Sequence, residues 1–118
     1  MERIDFGEGA AFAPRDELLD RVTVAPLTES IFRGAPFQAA VFRIAPGGGL
    51  RRHPAMVPQI LAVLEGEGAV SGADGVFEPI SAGEAAFWEQ GEEHETRSAE
   101  GLTAVILEGE GVRLRRTS

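Results

Sequence analysis

Cysteine, lysine, asparagine and tyrosine are all missing from the 118 residues. Without cysteine there is no disulfide, no thiolate nucleophile and no sulfur-ligated metal. Without lysine, Schiff-base chemistry and a phosphate-loop lysine are excluded, and without tyrosine so is a phenolic acid. Long apolar runs are missing as well. The longest, Ile60 to Leu64, suits a buried strand and falls far short of a membrane span. Positive charge is scarce: the 11 basic residues are all arginine and face 19 acids, leaving a net charge of −8. A phosphate backbone needs a cationic footprint, so nucleic acid is not an expected partner. The one basic cluster, Arg113, Arg115 and Arg116, reads as a solvated tail. Met1 to Gly9 already carries Glu2, Asp5 and Glu8 and no apolar leader, which points to a cytoplasmic chain with no membrane partner.

What is present fits one globular domain over 1–118, with 43% hydrophobic and 25% charged residues. The 15 glycines and 7 prolines sit mostly between short apolar runs, the pattern of brief strands joined by turns. The fold class expected is all-β. Strands are predicted at Phe37 to Ile44, Gln59 to Leu64, Gly68 to Val70, Val76 to Ile80, Ala85 to Trp88, His94 to Arg97 and Leu102 to Leu107. Turns fall at Pro46 to Gly49, Glu65-Gly66, Ser71 to Gly75, Ala82-Gly83, Gln90-Gly91 and Glu108 to Gly111. Asp74-Gly75 marks a hairpin. Arg15 to Arg21 is the one stretch with helical character, too short to define the fold. So many short strands in a small chain must close into a barrel or a two-sheet sandwich.

Two histidines, His53 and His94, narrow the search for chemistry. Imidazole is the commonest metal ligand and titrates near neutrality, yet two histidines can equally be hydrogen-bonded groups near the surface. Alternation places His94, Thr96 and Ser98 on one strand face and Glu95 on the other. It likewise puts Gln59, Leu61 and Val63 on one face, with His53 beside them if 54–58 bends. One of Phe87 and Trp88 must face inward. Arg43, Arg51 and Arg52 are candidates to meet an anionic ligand at the rim, with a solvated face as the alternative for each. The acids Glu84, Glu89, Glu92, Glu93, Glu95 and Glu100 stand against Arg97 alone; such crowding would raise the pKa of His94 and favour imidazolium, which metal binding opposes, while a soluble acidic rim is the simpler reading.

The stretch Ala45-Pro46-Gly47-Gly48-Gly49-Leu50-Arg51-Arg52-His53, followed by Gln59 to Gly68, resembles the first motif of the cupin superfamily. Ile80-Ser81-Ala82-Gly83-Glu84, followed by Gly91-Glu92-Glu93-His94, is similar to the second, and the likeness spans about residues 37–111. It implies an antiparallel jelly-roll barrel. Cupins of the usual pattern hold a metal with two histidines and a glutamate of the first motif and one histidine of the second. Here the first position matches His53, the next falls on Ala55, the glutamate position on Gln59, and the last matches His94. The resemblance therefore implies His53, Gln59 and His94 as metal ligands; their nitrogen and oxygen donors suit zinc, nickel, iron, copper or manganese, and the strand faces above make Gln59, Trp88 and Arg51 the expected contacts of a small-molecule ligand. An amide in place of a carboxylate weakens cation binding, and Glu92 or Glu95 could compensate by swinging in.

Three functions stay open on these grounds: a cavity binding a small molecule together with a divalent metal, a metal-free binding or sensing module, and a barrel that serves dimerisation. The homodimer is an expectation that the resemblance carries, with Ile31, Phe32 and Phe37 near Gly34 and Pro36 as its edge.

Overall fold

The computed structural model describes residues 1–29 and 36–116; Ile31, Phe32 and Gly34 of the expected dimer edge lie outside them. Seven antiparallel strands are found there: β1 (Leu19–Pro26), β2 (Phe37–Pro54), β3 (Gln59–Ser71), β4 (Glu78–Ser81), β5 (Ala85–Trp88), β6 (Glu93–Ser98) and β7 (Leu102–Gly109). The chain is all-β, as its glycine-punctuated apolar runs imply. The only helical turn among the described residues is the 3-10 segment Glu8–Ala10.

Two long strands make the architecture. The first half of β2 pairs with β7, its second half pairs with β6, and β1 runs beside it from Ala40 to Leu50. The first half of β3 pairs with β7 and β5, and its second half with β6 and β4. The ladders β2–β7, β7–β3, β3–β6 and β6–β2 thus form a closed ring, which removes open edges from the centre of the sheet. The result is the jelly-roll barrel. Inward side chains alternate along each strand: Val22 and Val24 on β1, Leu61 and Val63 on β3, and Leu102, Ala104 and Ile106 on β7 pack with Ala40, Ile44, Leu50, Ile80 and Trp88.

Several sequence expectations are corrected by this topology. Pro46 to Gly49 is no loop but part of β2, and Glu65-Gly66 is no turn but part of β3. Both strands bend from one sheet into the other at such glycines. Register shifts mark the bends, between Leu50 and His53 in β2 and between Val63 and Glu65 in β3. Gly66 has φ +81°, and a Cβ there would run into the carbonyl oxygen of Gly101. A side chain would block the bend. Arg15 to Arg21 forms no helix: Leu19 to Arg21 opens β1, with Arg21 in the left-handed region at φ 56° where the strand bulges. The Asp74-Gly75 hairpin is present but wider than a two-residue reversal, since Val70 pairs with Glu78.

Gly66→Ala is expected to destabilise the barrel by more than the roughly 1–2 kcal/mol of left-handed backbone alone. Gly75→Ala, at φ +73° with open space around it, should lose only that amount. Urea unfolding of the two variants compares them, and equal losses would contradict the role given to Gly66.

Candidate functional site

The register of three neighbouring strands builds one polar row inside the barrel. Glu108 on β7 stands opposite Gln38 on β2 and opposite Gln59 on β3, and facing partners in antiparallel ladders share a side of the sheet. Gln38 Nε2 donates to Glu108 Oε2 at 2.7 Å, and Gln59 Nε2 donates to Glu108 Oε1 at 2.7 Å. The carboxylate is gripped from both sides. Gln59 in turn faces Trp88 on β5, which continues the row.

The end of β2 and its partner β6 supply the histidines. His53 and His94 are a cross-strand pair of β2 and β6, their ring centroids 4.4 Å apart. Trp88 reaches across from the first sheet and lies 4.6 Å from the His94 ring. Alternation on β6 holds as expected, with His94, Thr96 and Ser98 buried. His53 Nδ1 is 2.7 Å from the Arg51 carbonyl oxygen and His94 Nδ1 is 3.2 Å from that of Glu92. A carbonyl only accepts, so each neutral ring carries its proton on Nδ1 and keeps a lone pair on Nε2.

A cavity of about 120 Å³ opens beside this row. His53, Gln59, Gln38 and Glu108 form its polar base, and Leu19, Val24, Ala40, Phe42, Leu50 and Ile106 form apolar walls. Pro14, Asp16 and Leu18 border it from the segment before β1. Apolar walls with a few convergent polar groups are the usual make-up of a small-molecule site.

The predicted site residues are thus only partly gathered. His53 and Gln59 line the cavity, while His94 sits behind His53, buried against Trp88. Trp88 is the inward member of its pair and is 3% exposed, so it packs rather than lines this cavity. Arg51 turns away: its guanidinium donates to the Glu17 carbonyl and lies 3.9 Å from Asp20. Arg52 is likewise committed, to Ser71 Oγ and the carbonyls of Gly72 and Ala73. Glu92 does not swing in, because its carboxylate accepts from the Glu89 and Ala73 backbone amides. Glu95 points away and pairs with Arg97. Glu108 and Gln38 were missed, the first because Glu108-Gly109 reads as a turn. Their signal was parity: Glu108 lies two residues beyond Ile106 and Gln38 two before Ala40, both on inward faces.

Two imidazole Nε2 atoms and the Gln59 amide oxygen are the donors available to a metal. Among the described residues no group of three or more histidines and carboxylates converges on one point. Gln59 Oε1 is buried and has no hydrogen-bond partner, nor has Gln38 Oε1. These donors are all neutral, and no carboxylate joins them in such a group.

Burial pushes the His94 imidazole from 6.5 down to about 4; the hydrogen bond to Glu92 opposes this and the neighbouring His53 adds to it. The expectation of an imidazolium held by the acidic run is therefore overturned. The charge of Glu92 does raise it, but desolvation outweighs that effect.

A closed antiparallel jelly roll with paired imidazoles and an amide–carboxylate row at one end of its interior places the molecule among the small cavity-bearing barrels. Residues 40–109 match the cupin domain model, and the chain belongs to the cupin family. No curated protein matches it. Among solved structures it is similar to the polyketide cyclase RemF from Streptomyces resistomycificus, at 26% identity and TM-score 0.72, covering 91% of this chain and 76% of that one. An RmlC-like cupin from Shewanella frigidimarina is similar at 19% identity and TM-score 0.73, covering 94% and 93%. A predicted oxalate decarboxylase from Thermotoga maritima is similar at 24% identity and TM-score 0.64, covering 73% and 77%.

His94 is expected to stay uncharged as the pH falls until about 4, so its ring-proton NMR shifts should not move near neutrality. The unfolded imidazole binds its proton first, near 6.5, so stability is full above that pH and falls between there and about 4. The slope from this group is about 1.4 kcal/mol per pH unit. Urea unfolding at a series of pH values should show that slope diminished in His94→Gln, and a His94 signal titrating near 6.5 would contradict the burial argument.

Proposed function

We infer that the barrel binds a small, mostly apolar molecule in the cavity, its polar group meeting His53, Gln59 and Glu108. One observation carries this reading: Gln38 Oε1 and Gln59 Oε1 are buried acceptors without partners beside apolar walls. An orphaned buried acceptor costs about 1–3 kcal/mol, a cost that a ligand donor reaching it would relieve. The size fits a compact ligand, since a dry engineered cavity of about 150 Å³ takes up benzene. The similarity to a polyketide cyclase supports the small-molecule part of the reading. His53 Nε2 offers a lone pair at the ligand's polar end, so the same geometry could accept a proton from it.

A second reading is favoured by the imidazole tautomers. With each Nδ1 held by a backbone carbonyl, both Nε2 lone pairs are set for a cation, the outer-shell arrangement of metal-binding histidines. His53, His94 and Gln59 would hold a divalent ion there, and such an ion polarises a ligand oxygen as a Lewis acid when bound. Gln59 in place of a carboxylate predicts a weak and exchangeable site. Neither reading needs the partner copy of the expected homodimer, whose test is light scattering across concentration.

Phenol is expected to raise the melting temperature of chelator-treated protein, approaching about 2.7 kcal/mol of stabilisation at a hundred times its Kd. Ala40→Leu, which fills the cavity from its wall, should abolish the shift. A shift unchanged in that variant would remove the cavity reading. Calorimetry with zinc or nickel ions tests the second reading: His53→Ala and His94→Ala should each lose the binding, and equal binding in all three proteins would end it.

A further inference from the structure

The geometry points to a ligand whose head group only donates hydrogen bonds, an alkyl- or arylalkylammonium, and to the rejection of carboxylates. This rests on the ligand-binding reading of the same cavity and names the class of molecule it takes.

The argument starts from the orientation of the two amides. Each sets its nitrogen against Glu108 at 2.7 Å; the reverse orientation would bring a carbonyl oxygen against a carboxylate oxygen at that distance. Their oxygens, Gln38 Oε1 and Gln59 Oε1, are therefore left as acceptors, both buried and without partners. His53 spends its Nδ1 proton on the Arg51 carbonyl, which makes Nε2 another acceptor. Glu108 brings a negative charge and spare lone pairs. Each amide keeps a second N–H, but the unpartnered atoms at the base are the two amide oxygens, both acceptors.

Charge points the same way. Among the described residues lining the cavity, Asp16 and Glu108 are acidic and no arginine is present. The nearby Arg51 and Arg52 are turned to Glu17, Asp20 and the 71–73 loop. The formal charge of −8 extends this field over the whole molecule. An ammonium group has three donors, no acceptor and a positive charge, so it matches each of these features. A carboxylate has acceptors only, and would be repelled by the Glu108 charge while leaving the two amide oxygens unpartnered.

The test uses three probes with one ring and one methylene or carboxyl carbon: benzylamine, benzyl alcohol and benzoate. Each is titrated by calorimetry into the full chain in the presence of EDTA, so that no metal ion competes for the acceptors. Benzylamine is expected to bind at least about tenfold tighter than benzyl alcohol, a ratio equal to about 1.4 kcal/mol. Benzoate should show no binding. Glu108→Gln should weaken benzylamine by about tenfold and leave benzyl alcohol within about threefold, because it removes the charge and keeps the shape. Gln59→Leu, which keeps the Glu108 charge but deletes the amide acceptor together with the N–H that pairs with Glu108, should also weaken benzylamine and serves where Glu108→Gln does not fold. Benzoate binding as tightly as benzylamine, or an unchanged ratio in both variants, overturns the ammonium assignment and leaves the cavity reading standing. If none of the three binds, the cavity reading itself fails and this inference with it. Benzylamine binding that survives Ala40→Leu lies outside the cavity and also overturns the assignment.

Discussion

The register of β7 between β2 and β3 is the constraint on which the site depends. It sets Glu108 in line with Gln38 on one side and Gln59 on the other, so that both amides reach the carboxylate without bending any strand. A slip of one residue would turn Glu108 outward and leave two glutamines buried with nothing to meet. Deeper rows on the same strands are apolar: Ala40, Ile106 and Leu61 share one, and Phe42, Ala104 and Val63 the next. The barrel is therefore packed shut at one end and polar at the other. The cavity lies where the two regimes meet.

The histidine pair depends on a different contact. β2 has to leave the first sheet and pair with β6 before His53 can stand against His94, and Trp88 then bridges the two sheets by lying on the His94 ring. Enclosure of this kind removes water from His94 on most sides, so the neutral ring is favoured even though the chain around it is acidic. Solvated carboxylates act through a high dielectric, whereas the loss of hydration acts directly on the buried ring. The same enclosure explains why the acids near His94 in sequence do not win at its ring: the charge of Glu92, whose carboxylate secures the neighbouring loop, is outweighed by the loss of hydration, and Glu95 is paired with Arg97.

Much of this was legible before any coordinates. The strand Ala85 to Trp88 was read with the bounds it has, and the inward parity of Gln59, Leu61 and Val63 and of His94, Thr96 and Ser98 followed from alternation alone. Elsewhere glycine misled, because it was taken as a mark of chain reversal where it marks a bend within one strand. Gly47 to Gly49 and Gly66 keep β2 and β3 continuous while letting them change sheets. β1 was missed because Leu18 and Leu19 beside charged residues read as a short helix, although Val22 and Val24 already alternate. Glu108 was missed for the reason that cost the long strands: a Glu-Gly pair looked like an end.

Composition and local pattern settled what needs only short-range physics: the residue types that can do chemistry, the all-β class and the faces of each strand. An absent side chain excludes its reaction whatever the fold, and alternation follows from the pleat of the backbone. Which strands lie side by side, and at which offset, was decided only when the barrel closed. Glu108 and Gln38 are 70 positions apart along the chain, and their contact depends on every ladder between them being in place. Tertiary structure alone could show that the carboxylate of this cavity comes from the last strand, and that burial rather than neighbouring charge governs His94.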